Sequence, residues 1–321
     1  MEYTTDYLAG LIETGLKELK YPNEAPHLFD PIRYTLEGGG KRLRPCLLLA
    51  AYSALSHSDC TEVLPQALAV EMFHNFTLLH DDVMDRADIR RGRPTVHRRW
   101  NDNAAILSGD AMLTRSVQLL AECRPDVLPD ILDIFNTTAM EIYEGQQLDM
   151  EFERRSDVTV QEYLEMIRLK TSVLLACACA IGARMAGASD EVRHHFYEYG
   201  VALGLAFQLR DDWLDTYGDP AVFGKAIGGD ILNRKKTWLL ITGLQESDGE
   251  LASILEEDLS DDVLIAQVRG VYDSLSLGER CGALAARYSA KAIESLDKIE
   301  MDTRAYEFFR SLALSAASRN H

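Results

Sequence analysis

Residues 64–85 read LPQALAVEMFHNFTLLHDDVMD. Leu64, Leu68, Met72, Phe73, Phe76 and Leu79 recur at spacings of three and four, the period of an amphipathic helix. The run ends in Asp81, Asp82 and Asp85. On a helix, the first and last of these stack on one face, with the middle one close by. The pattern returns 130 residues later as Asp211, Asp212 and Asp215, closing another periodic run over 192–214. Crowded carboxylates repel one another, and a divalent cation relieves the repulsion. Oxygen-only donors suit a hard ion such as Mg²⁺, which leaves its other positions to water and phosphate. The two clusters are therefore expected to face one pocket and clamp one polyphosphate.

Working outward, Ile131, Ile134, Phe135, Thr138 and Ile142 repeat the helical period, as does the stretch 162–185. No alternating run suggests a sheet. Most prolines mark edges: Pro22 and Pro26 follow a first helix, and Pro45 opens another after a glycine-rich turn. No low-complexity linker divides the chain. The expectation is one all-α domain over 1–321, a bundle of about a dozen helices, with 1–27 an N-terminal helix region. A net charge of −18 argues against nucleic acid or an anionic membrane as the main partner. The six cysteines lack metal or redox spacing and read as core residues in a reducing, cytoplasmic setting. No leader is evident, and no uncharged stretch reaches the roughly 18 residues of a membrane span, so integral membrane association is not expected.

Basic segments follow each acidic run. The first, 86–99, holds Arg90 and Arg91; the second, 223–230, holds Lys225. A third, Gly38-Gly39-Gly40-Lys41-Arg42-Leu43-Arg44-Pro45, combines glycines that admit a phosphate with the full charges of Lys41 and Arg44. It lacks the order of a Walker loop. His74 lies two turns before Asp81, and Lys170-Thr171 and Gln208 lie among apolar neighbours. Alone, these read as a structural histidine, a snorkelling lysine and a buried amide.

Taken in order, Gly-Gly-Gly-Lys-Arg-Leu-Arg-Pro (38–45), His-Asp-Asp-x-x-Asp (80–85) with Arg-Arg-Gly-x-Pro-Thr-x-His (90–97), Lys-Thr (170–171), Gln-x-x-Asp-Asp-x-x-Asp (208–215) and Gly-Lys-x-x-Gly-Gly-Asp-Ile (224–231) resemble the trans-isoprenyl diphosphate synthases of the polyprenyl synthetase family. The resemblance runs from residue 28 to the C-terminus. It implies helices around a deep central cavity, a homodimer, and three Mg²⁺ per site, with Mn²⁺ able to substitute. It makes Asp81, Asp85 and Asp211 metal ligands, with Asp82, Asp212 and Asp215 acting directly or through water. It gives the allylic diphosphate (dimethylallyl, geranyl or farnesyl) to Arg90, Lys170, Thr171, Gln208, Lys225 and Lys235, the last chosen from Arg234-Lys235-Lys236. Isopentenyl diphosphate falls to Lys41, Arg44, His74 and Arg91.

The implied reaction breaks an allylic C–O bond, leaving a carbocation that needs a dry apolar cavity and a diphosphate that needs positive charge. The isopentenyl double bond attacks the cation, and a proton then leaves. The product tail is expected to run along the helix before Asp81. There Phe76, five residues upstream, is the floor, Phe73 is a deeper one, and Thr77 is too small to block. An aromatic at the fifth upstream position resembles C20 synthases, so geranylgeranyl diphosphate is the expected product, with farnesyl or longer chains as alternatives. A terpene cyclase, a non-catalytic synthase subunit and an acidic helical binding protein are the competing classes. The second aspartate run and the presence of all six aspartates speak against them.

Overall fold

The computed structural model describes residues 4–56, 58–218 and 227–318. Among them the only β-structure is a two-residue antiparallel ladder, Ile89–Arg90 with Arg93–Pro94. The rest is helix and turn, so the all-α expectation holds. The chain divides into two compact units that interleave in sequence. One comprises Met1–Asn136, Cys177–Phe196 and Met301–Ala305; the other comprises Thr137–Ala176, Tyr197–Glu300 and Tyr306–His321. Because each unit draws on separated stretches, no linker in the sequence announces the division.

In the first unit, α1 (Thr5–Glu18) starts where the Thr4 hydroxyl accepts the Tyr7 N–H at 3.3 Å. It buries Leu8, Ile12 and Leu16 against α3 (Leu43–Ser56) and α4 (Leu64–Met84), so the region outside the motifs belongs to the core. Between α1 and α3 lies α2 (Pro26–Leu36), opened by Pro26. Helix α3 is buried without a break from Pro45 to Ala54. The acidic run occupies the last turn of α4, with Asp85 as its cap residue. After the short α5 (Val96–Arg99), α6 (Asp102–Leu120) begins at Asn101, which caps Ala104 N–H at 2.8 Å. Helix α6 is the main partner of α4. Gly109 allows the close approach: a Cβ there would lie 2.2 Å from His80 Nε2, which instead meets Ile106 O at 3.1 Å.

Four elements follow along the chain: α7 (Leu128–Phe152), α8 (Val160–Ile167), α9 (Val173–Met185) and α10 (Asp190–Tyr217). A capping box of Thr159 and Glu162 starts α8. Between α8 and α9 the helix widens into one π-turn, Arg168–Ser172, a distortion common at functional sites. Together 160–185 contain a window of membrane-span length and hydropathy, although Arg168 and Lys170 interrupt the stretch and leave no uncharged run of that length in it. Its composition has a different cause, since 83% of that window is buried inside the fold.

The second unit is completed by α11 (Gly229–Leu232), α12 (Trp238–Glu246), α13 (Glu250–Glu256), α14 (Asp261–Ser274), α15 (Leu277–Leu296) and α16 (Thr303–Ser318). Its core gathers Tyr163, Leu209, Leu239, Leu251, Tyr272 and Cys281. All six cysteines are free and five are buried, as core residues should be.

Candidate active site

In the first unit the hairpin after α4 folds back on the acidic run. Arg91 and Gly92 make its tight turn with φ of 52° and 72°, and Thr95 ties its base to Ala87 O at 2.7 Å. Arg90 is thereby aimed at Asp82 and places Nε and Nη2 at 2.8 and 2.7 Å from one carboxylate oxygen. Asp82 is buried, whereas Asp81 is half-buried and Asp85 exposed. Burial pushes the Asp82 carboxyl above its ordinary range, and Arg90 only partly offsets this. The outer two aspartates are thus the accessible pair, while the middle one holds Arg90.

Cations gather around His74. Arg44 Nη1 lies 3.2 Å from His74 Nε2, so that nitrogen accepts and carries no proton. Burial first, then Arg44, Arg91, Arg90 and Arg42, keep the imidazole well below its usual pKa. Burial and the neighbouring Arg91 also lower Arg44, to about 10, against the pull of Glu71. Arg91 bonds Gly39 O, and a Cβ on Gly40 would meet its guanidinium at 3.0 Å. Lys41 is exposed beside this turn. Like charges held this close, with one guanidinium Nε buried and unbonded on Arg44, make a site for an anion.

Phe73 and Phe76 pack ring to ring at 5.4 Å, Phe73 meets Phe135 at 4.9 Å, and Phe76 meets His80 at 4.7 Å. Both phenylalanines are buried, and Thr77 between them and the aspartates bonds its own helix at His74 O.

In the second unit, glycines let three helices touch backbone to backbone. A Cβ on Gly145 of α7 would lie 2.4 Å from Lys170 N, and one on Gly204 of α10 would lie 2.5 Å from Ser172 Cα. Held this way, the π-turn presents Lys170, which pairs with Asp149 at 2.5 Å, and Thr171, which donates to Gln208 at 3.3 Å. Gln208 passes the contact on to Asp212 at 2.9 Å, and the Tyr163 hydroxyl donates to the other Asp212 oxygen. Asp212 is buried, and burial pushes its carboxyl up to about 7. Asp215 accepts Asp230 N–H at 2.8 Å and is pushed up to about 6 by burial and the Asp230 charge. Asp211 and Asp215 are half-buried and accessible.

Lys235 lies among carboxylates, with Nζ 3.7 Å from Asp230 Oδ1. Burial opposes its charge, but Asp230, Asp212, Asp149 and Asp211 outweigh it and hold the ammonium protonated. Arg234 instead bonds Leu255 O at 2.5 Å. Lys225 lies outside the described residues. Sequence reasoning gave no role to Arg42 and Asp230, although both lie in the quoted motifs, and it passed over Glu71, Asp149 and Tyr163, which carry no spacing signal in a chain with 51 acidic residues.

Among the described residues, no three His, Cys, Asp or Glu side chains are drawn together as a ready metal cage. Magnesium asks less of a protein: one or two carboxylates, with water and phosphate completing its octahedron. Five carboxylates set against two lysines in the second unit, two of them proton-loving through burial and crowding, fit that demand.

A sequence profile described as polyprenyl synthetase matches residues 25–274. A geranylgeranyl diphosphate synthase of Methanosarcina mazei is 44% identical over 237 residues, 73% of each chain. A geranylfarnesyl diphosphate synthase of Natronomonas pharaonis is 37% identical over 284 residues, 83% of each. A crystal structure of a geranylgeranyl pyrophosphate synthase superposes with a TM-score of 0.95 at 38% identity, covering 100% of both chains. The all-α fold is that of the isoprenoid synthases, and the chain belongs to the polyprenyl synthetase family as a trans-isoprenyl diphosphate synthase, a prenyltransferase.

Proposed function

We propose that the enzyme joins isopentenyl diphosphate head to tail (1'-4) to allylic diphosphates and releases geranylgeranyl diphosphate, the C20 all-trans product. The observation that carries this reading is electrostatic: one unit crowds guanidinium groups around an uncharged His74, and the other crowds carboxylates around Lys235. The first is short of an anion and the second of cations, as two diphosphates and their metals require.

Asp81, Asp85, Asp211 and Asp215 would hold Mg²⁺, with Asp82 and Asp212 supporting. Bound there, the metal neutralises charge on the departing diphosphate. Arg90, Lys170, Thr171, Gln208, Lys225 and Lys235 hold the allylic diphosphate. Their fixed positive charge and hydrogen bonds stabilise the negative charge that grows as the C–O bond breaks. Lys41, Arg44, His74 and Arg91 hold isopentenyl diphosphate with its double bond toward the cation. The isopentenyl double bond is the nucleophile and the released diphosphate takes the final proton, so the chain need supply neither nucleophile nor base of its own.

Phe76 sets the floor for the growing tail, with Phe73 one turn deeper. Farnesyl and longer products such as geranylfarnesyl diphosphate are the alternatives, the latter favoured by the Natronomonas relative's name. The enzyme acts as a cytoplasmic homodimer. Exposed Ile106 and Leu107 on α6 support the association, and six cysteines outside any disulfide support the compartment.

Purified protein given isopentenyl and dimethylallyl diphosphates with Mg²⁺ should release diphosphate and form a linear C20 product, and excess EDTA should stop it. A cyclic hydrocarbon, no product, or turnover that persists in EDTA would overturn the reading. Phe76→Ala should lengthen the product by about one five-carbon unit, since one helical turn spans roughly 5.4 Å. An unchanged product on thin-layer chromatography would remove Phe76 as the floor.

A further inference from the structure

Arg42 lies between Lys41 and Arg44 in the sequence, and its side chain is 0% exposed. Each of its three nitrogens has a partner: Glu71 Oε1 at 2.5 Å, Glu13 Oε1 at 2.7 Å and Leu36 O at 2.6 Å. Glu71 is itself 3% exposed, and its Oε1 also takes Asn75 Nδ2 at 2.8 Å. The Arg42 backbone is left-handed, φ 47°, a conformation that a residue with a side chain keeps only when its surroundings insist. It follows Gly39, Gly40 (φ 71° and 142°) and Lys41 in the turn and directly precedes the first turn of α3, which carries Arg44. Glu71 sits three residues before His74 on α4, and its buried negative charge favours the charged forms of Arg44 and Arg91.

We propose that Glu13, Arg42 and Glu71 form a positioning brace for the isopentenyl diphosphate site. The brace locks the glycine turn in register with α4, so that Lys41 and Arg44 meet His74 and Arg91 around one anion. The proposal rests on the assignment of those four residues to isopentenyl diphosphate. Glu13 adds something the motifs do not contain, because it lies before residue 25, where the family match begins. The N-terminal helix thus takes part in substrate capture through an ion pair rather than only through packing. A lysine at position 42 cannot reach three acceptors from one planar fork, which is why the arginine matters.

The test compares Arg42→Lys, Glu13→Gln and the double variant, with KM measured separately for isopentenyl and for farnesyl diphosphate. Arg42→Lys should raise KM for isopentenyl diphosphate about tenfold, the scale on which supporting hydrogen bonds act at binding sites. KM for the allylic substrate, and kcat at saturating isopentenyl diphosphate, should stay put. Glu13→Gln should move the same constant less, and the double variant should be no worse than Arg42→Lys alone. Glu13 is 36% exposed and its loss leaves the Arg42–Glu71 pair intact, so this variant carries the test should Arg42→Lys fail to fold. Both KM values rising together, or neither rising, would overturn the brace. Wild-type protein that does not consume isopentenyl diphosphate at all would overturn the functional reading, and the brace with it.

Discussion

Asp82 and Asp212 hold the same place in the two acidic runs, and the protein treats them differently. Asp82 is clasped by the Arg90 guanidinium, a full opposite charge. Asp212 is bonded by two neutral groups, the Tyr163 hydroxyl and the Gln208 amide. The neighbours differ in sign as well: Arg44, Arg91, Arg90 and Arg42 surround His74 in one unit, whereas Asp149, Asp211, Asp212 and Asp230 surround Lys235 in the other. A repeated motif therefore marks two positions of similar backbone and opposite electrostatic need. The outer aspartates are accessible in both runs; what the middle one bonds to differs with the charge of its surroundings.

The outer positions should give the largest effects and the closest match. Asp81→Ala and Asp211→Ala should each cost about 10³-fold in kcat/KM, the upper range for removing one electrostatic stabiliser of developing charge. Equal losses in Mg²⁺ titrations keep the two runs equivalent at these positions. A large loss from one and a small loss from the other would break the comparison at its base.

The middle positions should part company in stability. Asp82→Asn leaves the Arg90 fork without its counter-charge and should lower unfolding free energy by about 1–3 kcal/mol. Asp212→Asn should cost less or stabilise, because its buried charge has no guanidinium to offset burial in the way Arg90 partly does for Asp82. The amide can still accept from Tyr163, and Gln208 can turn to suit it, since the Thr171 hydroxyl accepts as readily as it donates. The sign follows from linkage. The Asp212 pKa rises from 3.8 unfolded to about 7 folded, so between these values the native state binds more protons. Wild-type stability then falls as pH rises through that window, by up to about 1.4 kcal/mol per pH unit for one proton. Urea denaturation in EDTA across this range should show the slope in wild type and a flatter line in Asp212→Asn. Identical slopes would mean that Asp212 is ionised at no cost, and the contrast with Asp82 would vanish.

Much of this was legible in the chain. The apolar period of 64–79 fixed α4 and put Asp81 and Asp85 on one face, and the glycine-flanked basic run pointed to an anion. The π-turn was not legible, because one extra residue per turn at Arg168–Ser172 leaves no mark in a window of apolar residues. It changes the reading of Lys170 from a snorkelling lysine to one half of an ion pair with Asp149. Nor could spacing tell that the Arg42 guanidinium binds Glu13, Glu71 and Leu36 O while that of Arg44 meets His74, since a left-handed φ is set by the turn and its partners. Asp149 and Glu71 were hidden by number: in so acidic a chain, only contacts distinguish a site carboxylate from a solvated one.

The smallest expected effect probes the other side of the comparison. His74 is a base whose folded pKa is held well below the ordinary 6.5, first by burial and then by Arg44, Arg91, Arg90 and Arg42. As pH falls below about 6.5 the unfolded chain takes up a proton that the native state refuses, so this unit loses stability toward acid, the reverse of Asp212. His74→Gln should flatten the acid limb of the stability curve and leave neutral pH nearly untouched. Inorganic pyrophosphate should flatten it in wild type as well, because an anion among the guanidiniums offsets the charge that keeps the imidazole neutral. If pyrophosphate leaves the acid limb of wild type unchanged, the cations around His74 are not gathered for a diphosphate, and the electrostatic contrast between the units has no bearing on substrate.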